Sequence, residues 1–162
     1  MKALKGQPME PYILFVCSAN TCRSAMAEAL FNRYAEKAGI TLRARSCGLD
    51  AEDGEPASLG AQEAMEAYGI DLSGHRTQRI SAELMKNALM IITMTREEAQ
   101  YLTALLEHSP ELKKRVSALE PDIPEPYGGD ESDYRRAAAM LDEVLSALAE
   151  AGEGGSGHDG QA

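Results

Sequence analysis

An apolar run, Ile13 to Val16, ends in a cysteine. Five residues separate Cys17 from Arg23, Ser24 follows, and a helix-forming sequence runs on through Leu30. Strand, tight loop and helix start are therefore compressed into ILFVCSANTCRSAMAEAL. An arc of five residues can turn its backbone N–H groups inward around a tetrahedral oxyanion, and the helix N-terminus adds donors and a positive dipole end. The same field favours a thiolate, so Cys17 occupies a place where cysteines become nucleophiles. The segment reads as a phosphate cradle with a nucleophile at its base.

The remaining pattern supplies the frame for such a cradle. Tyr12 to Cys17 reads as a strand buried on both faces, and Leu42 to Leu49, Leu89 to Met94 and Val116 to Leu119 read as three more. Helices are predicted over Ser24–Ala38, closed by Gly39, and from Pro56 to about Tyr68, closed by Gly69. Further helices are predicted over Ser81–Lys86, after a Thr95 cap with Glu97 and Glu98 in its first turn, and over Ser132–Glu150. Pro121 to Asp130 holds three prolines and two glycines and reads as a loop. Strands alternating with helices predict an α/β fold: a single-domain three-layer sandwich, with a four-stranded parallel sheet and helices on both faces. Ligands of such sheets bind at the carboxyl ends of the strands, where Cys17 falls. Residues 1–11 form an irregular lead-in, 12–150 the domain, and the Gly-rich residues 151–162 read as a disordered tail.

Charge and cysteine content narrow the partners. With 162 residues the chain suffices for one domain. A net charge of −10 argues against general nucleic-acid binding and against anionic membranes. No apolar run approaches the ~20 residues that span a bilayer, and MKALKGQPMEP lacks the apolar core of a secretory signal. Three cysteines are too few for a disulfide framework. A cytoplasmic protein is expected. The three histidines and three cysteines show no metal-ligand spacing, no nucleotide-binding glycine motif occurs, and no cofactor is expected. His108 and His158 have no motif around them.

Over roughly residues 12–150 the chain resembles the low-molecular-weight protein tyrosine phosphatases. The resemblance rests on four segments in order: CSANTCRS at Cys17, SCG at Ser46, IDLSGHR at Ile70–Arg76 and PEPYGG at Pro124–Gly129. A bare Cys-x5-Arg occurs by chance; four ordered segments do not. The resemblance implies that Cys17 attacks phosphorus and forms a phosphocysteine that water hydrolyses. The loop residues Ser18, Ala19, Asn20, Thr21 and Cys22 would line the phosphate site. Arg23 would offer a planar fork to two phosphoryl oxygens, and Ser24 would donate to the sulfur, lowering a thiol pKa that is ordinarily about 8.5. Asn20 tolerates the left-handed backbone of a tight loop, and the family's Ser and His that hold it correspond to Ser46 and His75. Phosphorylated proteins are the implied partners.

Three departures from the family pattern stand out. Glu125 replaces the aspartate that protonates the leaving group and later activates water, and its carboxyl lies ~1.5 Å further from the backbone, about one C–C bond. Asp122, three residues upstream, is in the wrong register to substitute. Ala19 stands where glycine is usual, so its backbone must avoid positive φ. Ala25 stands where proline is usual and loses only rigidity.

Thr21 and Cys22 bear on substrate and regulation. Thr21 takes the place of a larger aliphatic residue in the tyrosine phosphatases, and the family branch acting on phosphoarginine in proteins carries threonine there. A small hydroxyl-bearing wall suits a planar, polar guanidinium better than a phenyl ring, so hydrolysis of phosphoarginine is expected ahead of phosphotyrosine. Tyr127 would form a pocket wall for either. In the family a cysteine at the place of Cys22 is a redox partner that pairs with the nucleophile; the other reading is a small residue packed under the loop. Cys47 has no partner visible in sequence. Thiol arsenate reductases share fold and cradle but relay through later cysteines, and none follows Cys47. A non-hydrolysing phosphate-binding module is the remaining rival.

Overall fold

A computed structural model describes residues 10–159, with side chains through Ala151. Ten elements follow in order. They are β1 (Tyr12–Cys17), α1 (Arg23–Ala38), β2 (Arg43–Gly48), α2 (Leu59–Glu66), α3 (Ala82–Lys86), β3 (Ala88–Thr93), α4 (Arg96–Leu105), α5 (Pro110–Lys113), β4 (Val116–Ala118) and α6 (Glu131–Asp159). The strands form one all-parallel sheet in the order β2-β1-β3-β4. β1 lies inside it, with every residue buried.

Alternation along β1 divides the interior. Ile13, Phe15 and Cys17 face a core shared with α1, α2 and α6, while Tyr12, Leu14 and Val16 face a second core under α3, α4 and α5. Burying a Leu or Phe contributes roughly 1.5–3 kcal/mol, so a one-residue slip of β1 would empty both layers at once. Register thus fixes Cys17 at the carboxyl end of the strand, on the α1 side. Gly48, opposite Cys17 across the β1–β2 pair, has a physical reason to be glycine: a Cβ there would lie 2.6 Å from the Ser18 carbonyl oxygen and 2.9 Å from the Ala19 carbonyl carbon.

Some boundaries differ from the sequence expectation. α2 starts at Leu59 rather than Pro56, because the Ser58 side chain accepts from the Ala61 N–H and caps the helix there. α5, unanticipated, follows a Ser109-Pro110 start. The backbone of α6 continues helically through Asp159, across much of the stretch read as a disordered tail. Adding a residue to a formed helix carries no new nucleation cost, and a glycine's penalty of about 1 kcal/mol did not stop this one. Residues 160–162, the rest of that stretch, lie outside the described residues, as do 1–9 of the lead-in; Glu10 and Pro11 are irregular and exposed.

Candidate active site

The loop from Ser18 to Cys22 is tethered through its carbonyl groups. Leu49 N–H donates to the Cys17 carbonyl at 2.8 Å, Asp50 N–H to Ser18 at 2.8 Å, Ser58 N–H to Thr21 at 3.0 Å and Met26 N–H to Cys22 at 2.9 Å. His75 Nε2 lies 2.8 Å from the Asn20 carbonyl. A carbonyl can only accept, so Nε2 carries the proton. Among the described residues no backbone N–H from Ser18 to Cys22 donates to a backbone carbonyl, and no side chain caps the start of α1. The donors are therefore left for a ligand, as an anion site at a helix N-terminus requires. The Asn20 and Ser24 amides also favour charge on the Cys17 sulfur.

Asn20 holds this curvature. Among the described residues it is the only non-glycine with positive φ, at 62°, so Ala19 does avoid that region. Its Nδ2 donates to Ser24 Oγ at 2.8 Å and Ser46 Oγ at 2.9 Å, while Oδ1 accepts from Gln78 N–H at 3.0 Å. Ser46 in turn donates to the carboxyl of Glu28. The chain of bonds sets a direction. With both Asn20 amide protons used, Ser24 is an acceptor from Asn20 and keeps its own proton for Cys17 Sγ, 2.9 Å away, in preference to the Cys47 carbonyl at 3.4 Å. Ser46 and His75 are thus brought to Asn20 as the resemblance implied. Glu28 and Gln78 were missed, since neither belongs to a motif segment. Glu28 left a faint signal, a carboxyl among Met26, Ala27 and Leu30. Burial pushes the Glu28 carboxyl up, and burial likewise pushes the His75 imidazole down, keeping it neutral near pH 7.

Burial is also the largest influence on Cys17 and pushes its thiol up; the Ser24 hydroxyl, the Arg23 guanidinium and the Ser24 and Asn20 amides pull the other way. The lowering expected from sequence is therefore outweighed by burial.

The five donors of Arg23 can be accounted for one by one. The Nη1 and Nη2 groups reach Glu98 at 3.4 and 2.9 Å as an end-on fork. Nη1 also donates to the Ile123 carbonyl at 3.2 Å, and Nη2 to Glu125 Oε2 at 3.1 Å. The Nε–H is buried and has no partner. A buried unpaired donor costs roughly 1–3 kcal/mol, so it marks where an acceptor belongs. A phosphoryl group taking the Nε/Nη2 edge would satisfy it and displace Glu125 from Nη2.

Glu125 lies at the cradle, its other oxygen accepting from Tyr127 N–H at 3.0 Å, and its side chain is 40% exposed. Asp122 instead accepts from Arg96 N–H at 2.9 Å at the start of α4, in agreement with its register. Tyr127 is 71% exposed beside the acid. Thr21 is half-buried, with Oγ1 3.6 Å from Cys22 Sγ. Cys22 itself is buried, its sulfur 3.1 Å from Ser58 Oγ and 3.8 Å from the Tyr134 hydroxyl. Cys17, Cys22 and Cys47 are all free thiols, and burial pushes that of Cys47 far up. His108 is exposed.

Known proteins match this chain over most of its length. The family model described as low molecular weight phosphotyrosine protein phosphatase matches residues 12–153. A protein-arginine-phosphatase of Bacillus subtilis is 35% identical over 141 residues, covering 85% of this chain and 93% of the relative. The low molecular weight protein-tyrosine-phosphatase Wzb of Escherichia coli K12 is 31% identical over 144 residues, covering 86% and 93%. A crystal structure of a YwlE mutant from Bacillus subtilis superposes with a TM-score of 0.79 at 31% identity, covering 87% of this chain and 97% of that one. With sequence and fold matched over most of its length, the chain belongs to the low molecular weight phosphotyrosine protein phosphatase family.

Proposed function

We propose that this member of the family hydrolyses phosphoarginine in proteins, through a phosphocysteine on Cys17. The observation that carries the phosphatase chemistry is the buried, unpaired Nε–H of Arg23 beside a sulfur 2.9 Å from the Ser24 hydroxyl. Phosphoryl oxygens take the loop amides and the Nε/Nη2 edge of Arg23, and Glu125 is released. Released from Arg23, Glu125 carries the proton that the Cys17 thiol gives up. The thiolate attacks phosphorus in line, the S–P bond forms as the bond to the leaving nitrogen breaks, and Glu125 delivers that proton to the nitrogen. In the second step Glu125, now a carboxylate, takes a proton from water. The hydroxyl forms a new P–O bond, the S–P bond breaks, and inorganic phosphate leaves. Arg23 stabilises the charge of both transition states.

Preference for arginine is supported by the half-buried threonine at position 21 and by the carboxylate of Glu125 facing the cradle. A guanidinium leaving group needs both a slot without bulk and an acid. Relatives named protein-arginine-phosphatase align along most of the chain, at 35% and 34% identity. Replacing Thr21 with isoleucine is expected to lower kcat/KM on phosphoarginyl peptides about tenfold or more, the order of specificity effects from a changed pocket wall. Activity on the matched phosphotyrosyl peptides should be unchanged or raised. Phosphate release measured on both peptide sets tests this; a wild-type preference for phosphotyrosine would reassign the substrate and leave Cys17, Arg23 and Ser24 in their roles.

Glu125→Gln keeps the shape and the contact to Tyr127 N–H but has no proton to give. General acid–base groups contribute typically 10²–10⁴-fold, and a loss in kcat of about 10² or more is expected. Retention of kcat within about twofold, far below that range, would remove Glu125 from the reaction. The extra methylene of Glu125 is accommodated in the resting site by the paired contacts to Arg23 and Tyr127 N–H.

Cys22 is proposed as the redox partner of Cys17. Peroxide oxidises the Cys17 thiolate to a sulfenic acid; the Cys22 thiol attacks that sulfur, forming a disulfide and releasing water. For this its sulfur must leave Ser58 and Tyr134. Peroxide-treated wild type should regain activity with dithiothreitol, and Cys22→Ser should regain much less. Equal recovery would assign Cys22 to packing alone.

A further inference from the structure

We propose that Glu98 is a positioning residue of the reaction, holding the Nη1/Nη2 edge of Arg23 so that its Nε/Nη2 edge is presented to the phosphoryl group. This rests on the phosphatase reading of the site and goes beyond the motif residues that define it. Glu98 comes from the opposite face of the sheet edge, in the first turn of α4, and its side chain is 11% exposed against 4% for Arg23. Its orientation is fixed before any contact with Arg23. Glu98 N–H donates to Thr95 Oγ1 at 3.1 Å while Thr95 N–H donates back to Glu98 Oε1 at 3.0 Å, a complete capping box.

The carboxylate is then saturated on both oxygens. Oε1 accepts from Thr95 N–H and from Arg23 Nη1; Oε2 accepts from Arg23 Nη2 at 2.9 Å and from Ser18 Oγ at 3.3 Å. Glu125 has one guanidinium contact and one backbone donor. An incoming phosphoryl group competes for Arg23 with both carboxylates, and the less anchored, more exposed Glu125 is the one to yield. Glu98 therefore decides which edge of the guanidinium the substrate receives. A free arginine would offer either edge, and fork geometry is what makes arginine specific for a tetrahedral oxyanion. The tie also runs through Ser18, so the first residue of the cradle and its arginine are set by one carboxylate.

The test separates this role from helix capping. Glu98→Gln preserves the cap, since glutamine serves at the third position of a capping box. In the orientation that keeps Thr95 N–H bonded, its amide places N–H groups against Arg23 Nη2, a donor facing a donor. The expected result on a phosphorylated substrate is a fall in kcat of about tenfold or more, because misplacement near 1 Å can cost about a hundredfold. KM should change far less. Thr95→Ala is the comparison: it removes only the hydroxyl half of the cap, lowering stability by about 0.5–2 kcal/mol, while the backbone N–H at 95 still holds Glu98 Oε1, so kcat stays near wild type. Glu98→Gln with wild-type kcat, or Thr95→Ala with an equal kcat loss, would overturn the positioning role.

A readout independent of turnover is the ¹⁵N spectrum of the Arg23 side chain. Wild type should show separate, slowly exchanging Nη–H signals from a locked guanidinium, and Glu98→Gln averaged ones. Unchanged signals would overturn the proposal even if no substrate were turned over. Absence of Cys17-dependent phosphate release from wild type, with the spectral change present, would instead defeat the phosphatase reading and keep the Glu98–Arg23 tie.

Discussion

Cys17→Ser is expected to abolish phosphate release, with a loss on the order of 10⁴-fold or more, as for the removal of other covalent nucleophiles. The hydroxyl is a weaker nucleophile and keeps its proton at neutral pH, while the Ser24 hydroxyl that would stabilise a thiolate has a poorer acceptor. The rest of the cradle stays intact. The carbonyl tethers to Leu49, Asp50, His75 and Ser58 do not involve the sulfur, nor do the contacts of Arg23 to Glu98, Glu125 and Ile123. Inorganic phosphate should therefore still bind, measured by calorimetry, with turnover gone. Loss of phosphate binding together with turnover would mean that the substitution had collapsed the loop, and the kinetic result would then say nothing of a nucleophile.

Arg23→Lys is expected to show the second-largest effect, about 10²–10³-fold in kcat, the order seen when a donor to a developing oxyanion is removed. Charge is retained and geometry is not. An ammonium cannot span Glu98, Glu125 and the Ile123 carbonyl while also offering a planar edge to phosphate. The energetic consequence for folding is separate. Arg23→Ala leaves Glu98, 11% exposed, without its cation. Breaking a buried pair costs about 3–5 kcal/mol, and the lower end applies because Glu125 is 40% exposed and is free to turn to water. Thermal unfolding of both variants checks this: Arg23→Lys should unfold closer to wild type than Arg23→Ala. A lysine variant with wild-type kcat would show that charge alone is used and that the fork is immaterial.

The loop and sheet were legible in sequence because their signals are local. The apolar run of β1, the cysteine at its end and the helix after Arg23 lie within 18 consecutive residues, and parallel topology follows from alternation of strand and helix. Ser46 and His75 were reached through family motifs, since nothing local ties residue 46 or 75 to residue 20. Glu98 was read only as a first-turn acid of α4. That reading is correct for capping, but it concealed the contact to Arg23, a residue 75 positions away. Gln78 left no signal and Glu28 only a faint one, for the same reason: the Asn20 network is assembled where α1, β2 and the segment after His75 meet. The start of α2 shifted because the Ser58 cap prevailed over the proline at 56. In α6, composition was a poor guide because a helix already anchored by Tyr134, Leu141 and Leu145 in the core extends without a new nucleus.

The most direct measurement is a rapid acid quench of the enzyme turning over a phosphoarginyl peptide, followed by mass spectrometry of the peptide containing Cys17. The account predicts a phosphoryl adduct on Cys17 that forms and decays at rates compatible with turnover, and that is absent in Cys17→Ser. Steady turnover with no phosphorylated Cys17 at any time point, or with the phosphoryl group on another residue, would contradict it.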